Sequence, residues 1–136
     1  MLIYLDSSAL IKRGIREAES EPLVDAMSGA LDDGVEFVSS TLAWIEVSRA
    51  MRSRLDGTMP AEIAALIEVA LSGVGEALMT PQITSIARRI GPPTLRSLDA
   101  IHLATAMIHD VDAIWAYDRR LLDAAADLGL VTAVPS

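Results

Sequence analysis

The sequence has no cysteine among its 136 residues. That excludes disulfides, thiolate catalysis and any cysteine-ligated metal or iron–sulfur centre. Aromatic residues amount to only 4%, so aliphatic side chains and alanine must do the packing. Basic charge is scarce as well: 11 bases face 19 acids, for a net charge of −8, and Lys12 is the one lysine. An acidic chain is a poor nucleic-acid binder unless some of its acids are committed to cations. No apolar stretch of membrane-spanning length is free of charge. Asp6 stands where a signal peptide would carry basic and then apolar residues. The expectation is a cytoplasmic protein without a membrane segment. A glycine-rich phosphate loop is missing too, because Gly73-Val74-Gly75 lacks the following glycine and any P-loop lysine.

What is present is apolar material, 51% of the chain, enough for a sizeable core and too much for disorder. The length suits one domain. Strand-length apolar runs alternate with helix-period segments. Leu2-Ile3-Tyr4-Leu5 reads as a strand buried on both faces of a parallel sheet. Further strands are predicted at Val35 to Val38, Ala77 to Met79, Ala113 to Tyr117 and Leu130 to Val134. Helices are predicted from Ala9 to Arg13, from Ser20 to about Asp33, from a Thr41 cap to about Leu55, and from Pro60 to the Gly73–Gly75 breaks. Three more follow, from Pro81 to Ile90, from Asp99 to His109 and from Arg119 to Leu128. The alternation argues for an α/β layer sandwich around a mainly parallel sheet of five strands.

Ligands in such sheets bind beyond the carboxyl ends of the strands, near the point where strand order reverses. Asp6 and Asp118 follow the first and fourth strands, and Asp99 opens the most apolar helix. Carboxylates gathered at one end of a sheet repel, and a hard divalent cation such as Mg²⁺ or Mn²⁺ resolves that repulsion. Each aspartate also precedes a helix, where an N-cap role accounts for it equally well. Glu46 falls almost opposite the apolar stripe of Trp44, Val47, Met51 and Leu55, so periodicity makes it a solvated residue. His102 and His109 lack zinc-pair spacing and read as core or helix-end histidines. Ser7, Ser8 and Ser97 read as caps or supporting hydroxyls. Arg96 and Arg119 adjoin the acids and suit a phosphodiester.

Taken together, four segments resemble the PIN-domain nucleases, and among them the bacterial VapC-type toxins. Leu2 to Leu10 looks like the family's opening strand ending in Asp6 and a small hydroxyl residue. Glu46 within Ser40 to Val47 matches the helical glutamate, and Thr94 to Ala106, containing Asp99, is the most specific match. Ala116-Tyr117-Asp118-Arg119-Arg120-Leu121 matches the last acidic motif, with Ala116 where the family commonly has Thr or Ser.

The resemblance implies one PIN-like domain over residues 1–136, a three-layer sandwich with a central five-stranded sheet. It implies a Mg²⁺- or Mn²⁺-dependent endoribonuclease that cuts RNA with an activated water. Asp6, Glu46, Asp99 and Asp118 would be the catalytic, metal-site acids, with Ser7, Arg96, Ser97 and Arg119 supporting them or touching RNA. A toxin role, a cognate antitoxin and a homodimer are implied with it. Two other functions stay open on the residues themselves: an aspartyl phosphotransfer or phosphatase-like domain using Asp6, and a non-catalytic interaction module. The first wants a second aspartate where Ser8 stands, or a late lysine where none occurs.

Overall fold

The computed structural model describes residues 1–136. Five strands form one sheet: β1 (Leu2–Leu5), β2 (Glu36–Ser40), β3 (Val74–Ala77), β4 (Ala113–Trp115) and β5 (Thr132–Ala133). All pairings are parallel and the spatial order is β3-β2-β1-β4-β5. The unbroken apolar run predicted for a central strand is β1, with Ile3 between Phe37 and Ala113 and Tyr4 between Val38 and Ile114. Seven helices connect the strands: α1 (Ser7–Gly14), α2 (Ser20–Asp32), α3 (Thr41–Arg54), α4 (Pro60–Leu71), α5 (Pro81–Ala87), α6 (Ser97–Ile108) and α7 (Arg119–Asp127). None is long and apolar enough to cross a membrane.

Strand alternation sends side chains to opposite faces and so divides the core in two. Ile3 and Leu5 of β1 join Ala9, Leu10, Leu23, Phe37, Val47 and Met51 beneath α1 to α4. Tyr4 points the other way, to Leu103, Ile114, Leu121 and Ala125 beneath α6 and α7. The result is a three-layer sandwich with β1 at its centre. The order reverses between β1 and β4, so the switch point lies between the end of β1 and the loop after β4.

Several boundaries differ from the sequence expectation. The third strand is Val74–Ala77, two to three residues earlier than predicted, and Leu78 and Met79 lie exposed beyond it. Gly73 at φ +75 ends the preceding helix and turns the chain directly into the strand. Helix α1 starts at Ser7, immediately after Asp6, and α5 stops at Ala87, three residues before Ile90. Ser40, not Thr41, caps α3: its hydroxyl accepts from Leu42 N at 3.0 Å, while the Thr41 hydroxyl donates to Glu76 at 2.6 Å.

Candidate active site

Asp6 is delivered to the carboxyl edge by β1, the most enclosed strand, and stops the strand by capping α1. Its Oδ1 accepts from Ala9 N at 3.0 Å and from the Ser8 hydroxyl at 2.7 Å, so Oδ2 is left without a partner in the chain. Ser8 also accepts from Tyr117 N at 3.0 Å, which ties Asp6 to the loop that carries Asp118. Asp118 divides its oxygens in the same way. Oδ1 caps α7 through Arg120 N and Leu121 N at 2.9 and 3.2 Å, and Oδ2 accepts from Arg96 Nη2 at 2.7 Å. The capping reading therefore holds for both residues, and it uses only one oxygen of each.

Asp99 is different. The N-cap of α6 is Arg96, whose side chain makes no capping bond, and Asp99 sits buried in the first turn. Its Oδ2 accepts from Arg96 Nε at 3.1 Å, and no backbone amide uses it. The expected cap is absent because α6 begins two residues earlier than Asp99.

Glu46 is not a solvated residue. Its Oε1 accepts from the Ser7 hydroxyl at 2.6 Å and meets His102 Nε2 at 2.7 Å. The physical reason is tertiary: α3 presents its polar flank to α6, which arrives from 56 residues further along the chain. A carboxylate only accepts, so Nε2 carries a proton here. In the neutral ring Nδ1 accepts from the Tyr4 hydroxyl at 2.5 Å, in the protonated ring it donates to that oxygen, and in either form the Tyr4 oxygen accepts from Ser40 N at 3.2 Å. His102 is thus a bridge between core and site and not simply a core histidine. The spacing of Asp99 and His102, three residues apart on one helix, is the signal that could have found it.

The four acids line one pocket of about 400 Å³ with Ser7, Ser8, Arg96, Ser97 and His102. Sequence reasoning missed the far end of that pocket. There the buried Lys12 donates to Glu17 at 2.6 Å and Glu19 at 3.0 Å, and its Nζ lies 4.7 Å from the Tyr117 ring centroid. Arg54 donates to Glu17 at 2.6 Å. Arg119 does not join the site: it is exposed and lines a separate depression with Tyr117 and Leu122. Ser97 lies exposed at the rim.

Electrostatics separate the acids. Burial, with the Asp118 charge adding to it, holds the Asp6 carboxyl above its ordinary value despite hydrogen bonds from Ser8 and Ala9. Burial would also raise Glu46, but the hydrogen bonds from His102 and Ser7 outweigh it and the carboxyl lies below its ordinary value. In Asp118 burial is likewise overcome, by the Leu121 amide and by Arg96. The donor set is rich in carboxylate oxygen and contains no thiol, which suits a hard cation. No three of these side chains enclose an ion by themselves as they stand. Such a set fits an ion that takes one or two carboxylates and keeps most of its waters.

A parallel sheet with this strand order, and acids at its switch point, defines an α/β class. Comparison with known proteins identifies it. The PIN domain model matches residues 3–127, and the chain belongs to the PIN-domain family. Within it the likeness is to the VapC type. The chain is 37% identical to Ribonuclease VapC47 of Mycobacterium tuberculosis (strain CDC 1551 / Oshkosh), over 98% of this chain and 97% of that one. It is 40% identical to Ribonuclease VapC46 of Mycobacterium tuberculosis (strain ATCC 25618 / H37Rv), over 98% of each. Among solved structures, the fold matches VapC20 of Mycobacterium tuberculosis, described as a sarcin–ricin loop cleaving toxin. That match has a TM-score of 0.74 and 16% identity, covering 98% of this chain and 99% of that one. It also matches VapBC2 of Rickettsia felis bound to a promoter DNA fragment, with a TM-score of 0.74, 8% identity and full coverage of both chains.

Proposed function

We propose that this chain is a Mg²⁺- or Mn²⁺-dependent endoribonuclease, that residues 1–136 act as one PIN-like domain, and that it is the toxin of a toxin–antitoxin pair. The observation that carries the reading is the meeting of Asp6, Glu46, Asp99 and Asp118, from four separate segments, in one polar pocket at the switch point. The ribonuclease names of its full-length relatives support the substrate class.

Asp6 and Asp99 would hold the ion, each through an oxygen that no other group in the chain uses. Glu46 is fixed in place and kept anionic by His102 and Ser7, and with Asp118 it orients water at the edge of the site. The chemistry supplied by a bound divalent ion is Lewis-acid polarisation of the phosphate and of water. Arg96 stands at the pocket mouth, where a phosphodiester enters. Addition of water across the P–O3′ bond leaves 5′-phosphate and 3′-hydroxyl ends. Phosphotransfer through Asp6 loses its activating cation, because Lys12 is bound to Glu17 and Glu19.

An antitoxin protein that covers the acidic pocket, and a homodimer of twice the 14.5 kDa chain, belong to the same reading. The VapBC assembly among its structural neighbours supports the first.

The test is to map the ends of RNA cut in cells after induction. Cleavage should leave 5′-phosphates, stop with Asp6→Asn, which keeps a good N-cap, and be inhibited in vitro by EDTA. Growth arrest should be relieved by coexpressing the neighbouring open reading frame. A 2′,3′-cyclic phosphate product, or cleavage indifferent to EDTA, overturns the mechanism.

A further inference from the structure

Arg96 is the cation built into the acid cluster. Its guanidinium spans two helices, with Nε 3.1 Å from Asp99 Oδ2 and Nη2 2.7 Å from Asp118 Oδ2. It thereby occupies two of the carboxylates proposed to serve a divalent ion. Its side chain is 53% exposed, so it is free to leave, with the Asp118 pair solvent-screened and the Asp99 pair half-enclosed. The α6 cap is made by its backbone alone, so the side chain can leave without loosening the helix. The other cations of the pocket are committed elsewhere: Lys12 to Glu17 and Glu19, and Arg54 to Glu17.

We propose that Arg96 exchanges partners. Without a divalent ion it neutralises Asp99 and Asp118; once an ion binds at Asp6 and Asp99, with Asp118 orienting its water, the guanidinium is released to hold an RNA phosphate at the pocket mouth. This rests on the metallonuclease reading above. Two cations on one carboxylate, even on its separate oxygens, stand within a few ångströms and repel each other, so at Asp99 the ion and the guanidinium are alternatives. Released, the planar fork of five N–H donors matches the oxygens of a phosphate. Asp99 and Asp118 are thus never left uncompensated, and the phosphate-binding group becomes available only when the site is loaded.

Two measurements on the full chain test the exchange. The first is Mn²⁺ binding without RNA, by calorimetry, for wild type, Arg96→Gln, Asp99→Asn and Arg120→Gln. Arg96→Gln should bind Mn²⁺ about three- to tenfold tighter, as expected for removing one exposed and one half-enclosed ion pair. Arg120→Gln removes the same charge from an exposed position outside the pocket and should leave the affinity within about twofold. The second is cleavage of a fluorogenic RNA oligonucleotide at saturating Mn²⁺, where Arg96→Gln should raise KM for RNA by more than it lowers kcat. Mn²⁺ affinity unchanged or weaker in Arg96→Gln overturns the exchange, and tighter Mn²⁺ binding with unchanged KM overturns the phosphate role. If Asp99→Asn leaves Mn²⁺ binding intact, the proposed metal site itself is wrong and the exchange falls with it.

Discussion

One aspartate can cap a helix and still offer an oxygen to a pocket, because its two oxygens are separable. Asp6 holds α1 with Oδ1 and has Oδ2 left over, and Asp118 holds α7 with Oδ1 and gives Oδ2 to Arg96. A cap fixes the side chain without consuming it, which is a cheap way to orient a charge. Glu46 has no cap to hold it and depends on a chain of buried hydrogen bonds through His102 to the Tyr4 hydroxyl. Tyr4→Phe keeps the ring but leaves His102 Nδ1 and Ser40 N unpaired in the core. The expected cost is about 1–3 kcal/mol in urea unfolding, the desolvation penalty of buried polar groups left without partners. RNA cleavage should fall with it, since His102, which holds Glu46, loses its partner at Nδ1. A loss below about 0.5 kcal/mol would mean the network carries little weight.

Among the elements, α1 is the most constrained. It begins at the site residue Asp6 and packs against α2, α3 and α4. Its last residue, Gly14, lies so close to α3 and α4 that an added Cβ would meet Met51 Cε of the first and stand 2.9 Å from the Leu66 carbonyl oxygen of the second. Arg13 reinforces the contact by donating to the Ala70 carbonyl at 2.8 Å. The methionine can move, but the backbone carbonyl cannot without shifting the helix. Gly14→Ala should therefore destabilise by roughly 1–3 kcal/mol despite its better helix propensity. An unchanged denaturation midpoint would show that α1 and α4 slide apart freely.

Across the whole molecule, the charged groups pull stability in two directions with pH. Glu17, held down by hydrogen bonds from Lys12 and Arg54, ionises below its ordinary value when folded, as do Glu46 and Asp118. Their stabilisation is complete above the unfolded carboxylate range and is lost as pH falls through the lower folded values. Asp6 has the opposite sign. Its folded carboxyl is raised, so its contribution is present below the unfolded value and disappears as pH rises through the folded one. In EDTA, unfolding at a series of pH values between about 4 and 8 should show a maximum at mildly acidic pH. Asp6→Asn should flatten the fall toward neutrality and leave the acid limb in place. Identical profiles for the two proteins would rule out Asp6 as a strained buried charge.

Read alone, the sequence determined the layer architecture, the parallel sheet and the order of the acids. Those follow from local information: the double-sided apolar run at Leu2 to Leu5, the 3.6-residue stripes, and caps such as Asp6 and Asp118. The acidic motifs also carried the family likeness, which the matched PIN domain upheld. The sequence could place Asp6 and Asp118 at strand ends, but not Glu46, whose helical phase pointed away from the core. Only tertiary structure brought α6 against the polar flank of α3, turned Glu46 and His102 toward each other, and set Arg96 between Asp99 and Asp118. The limit is physical. Periodicity reports which face of one element is buried, whereas a site at a switch point is made by groups from elements far apart in the chain.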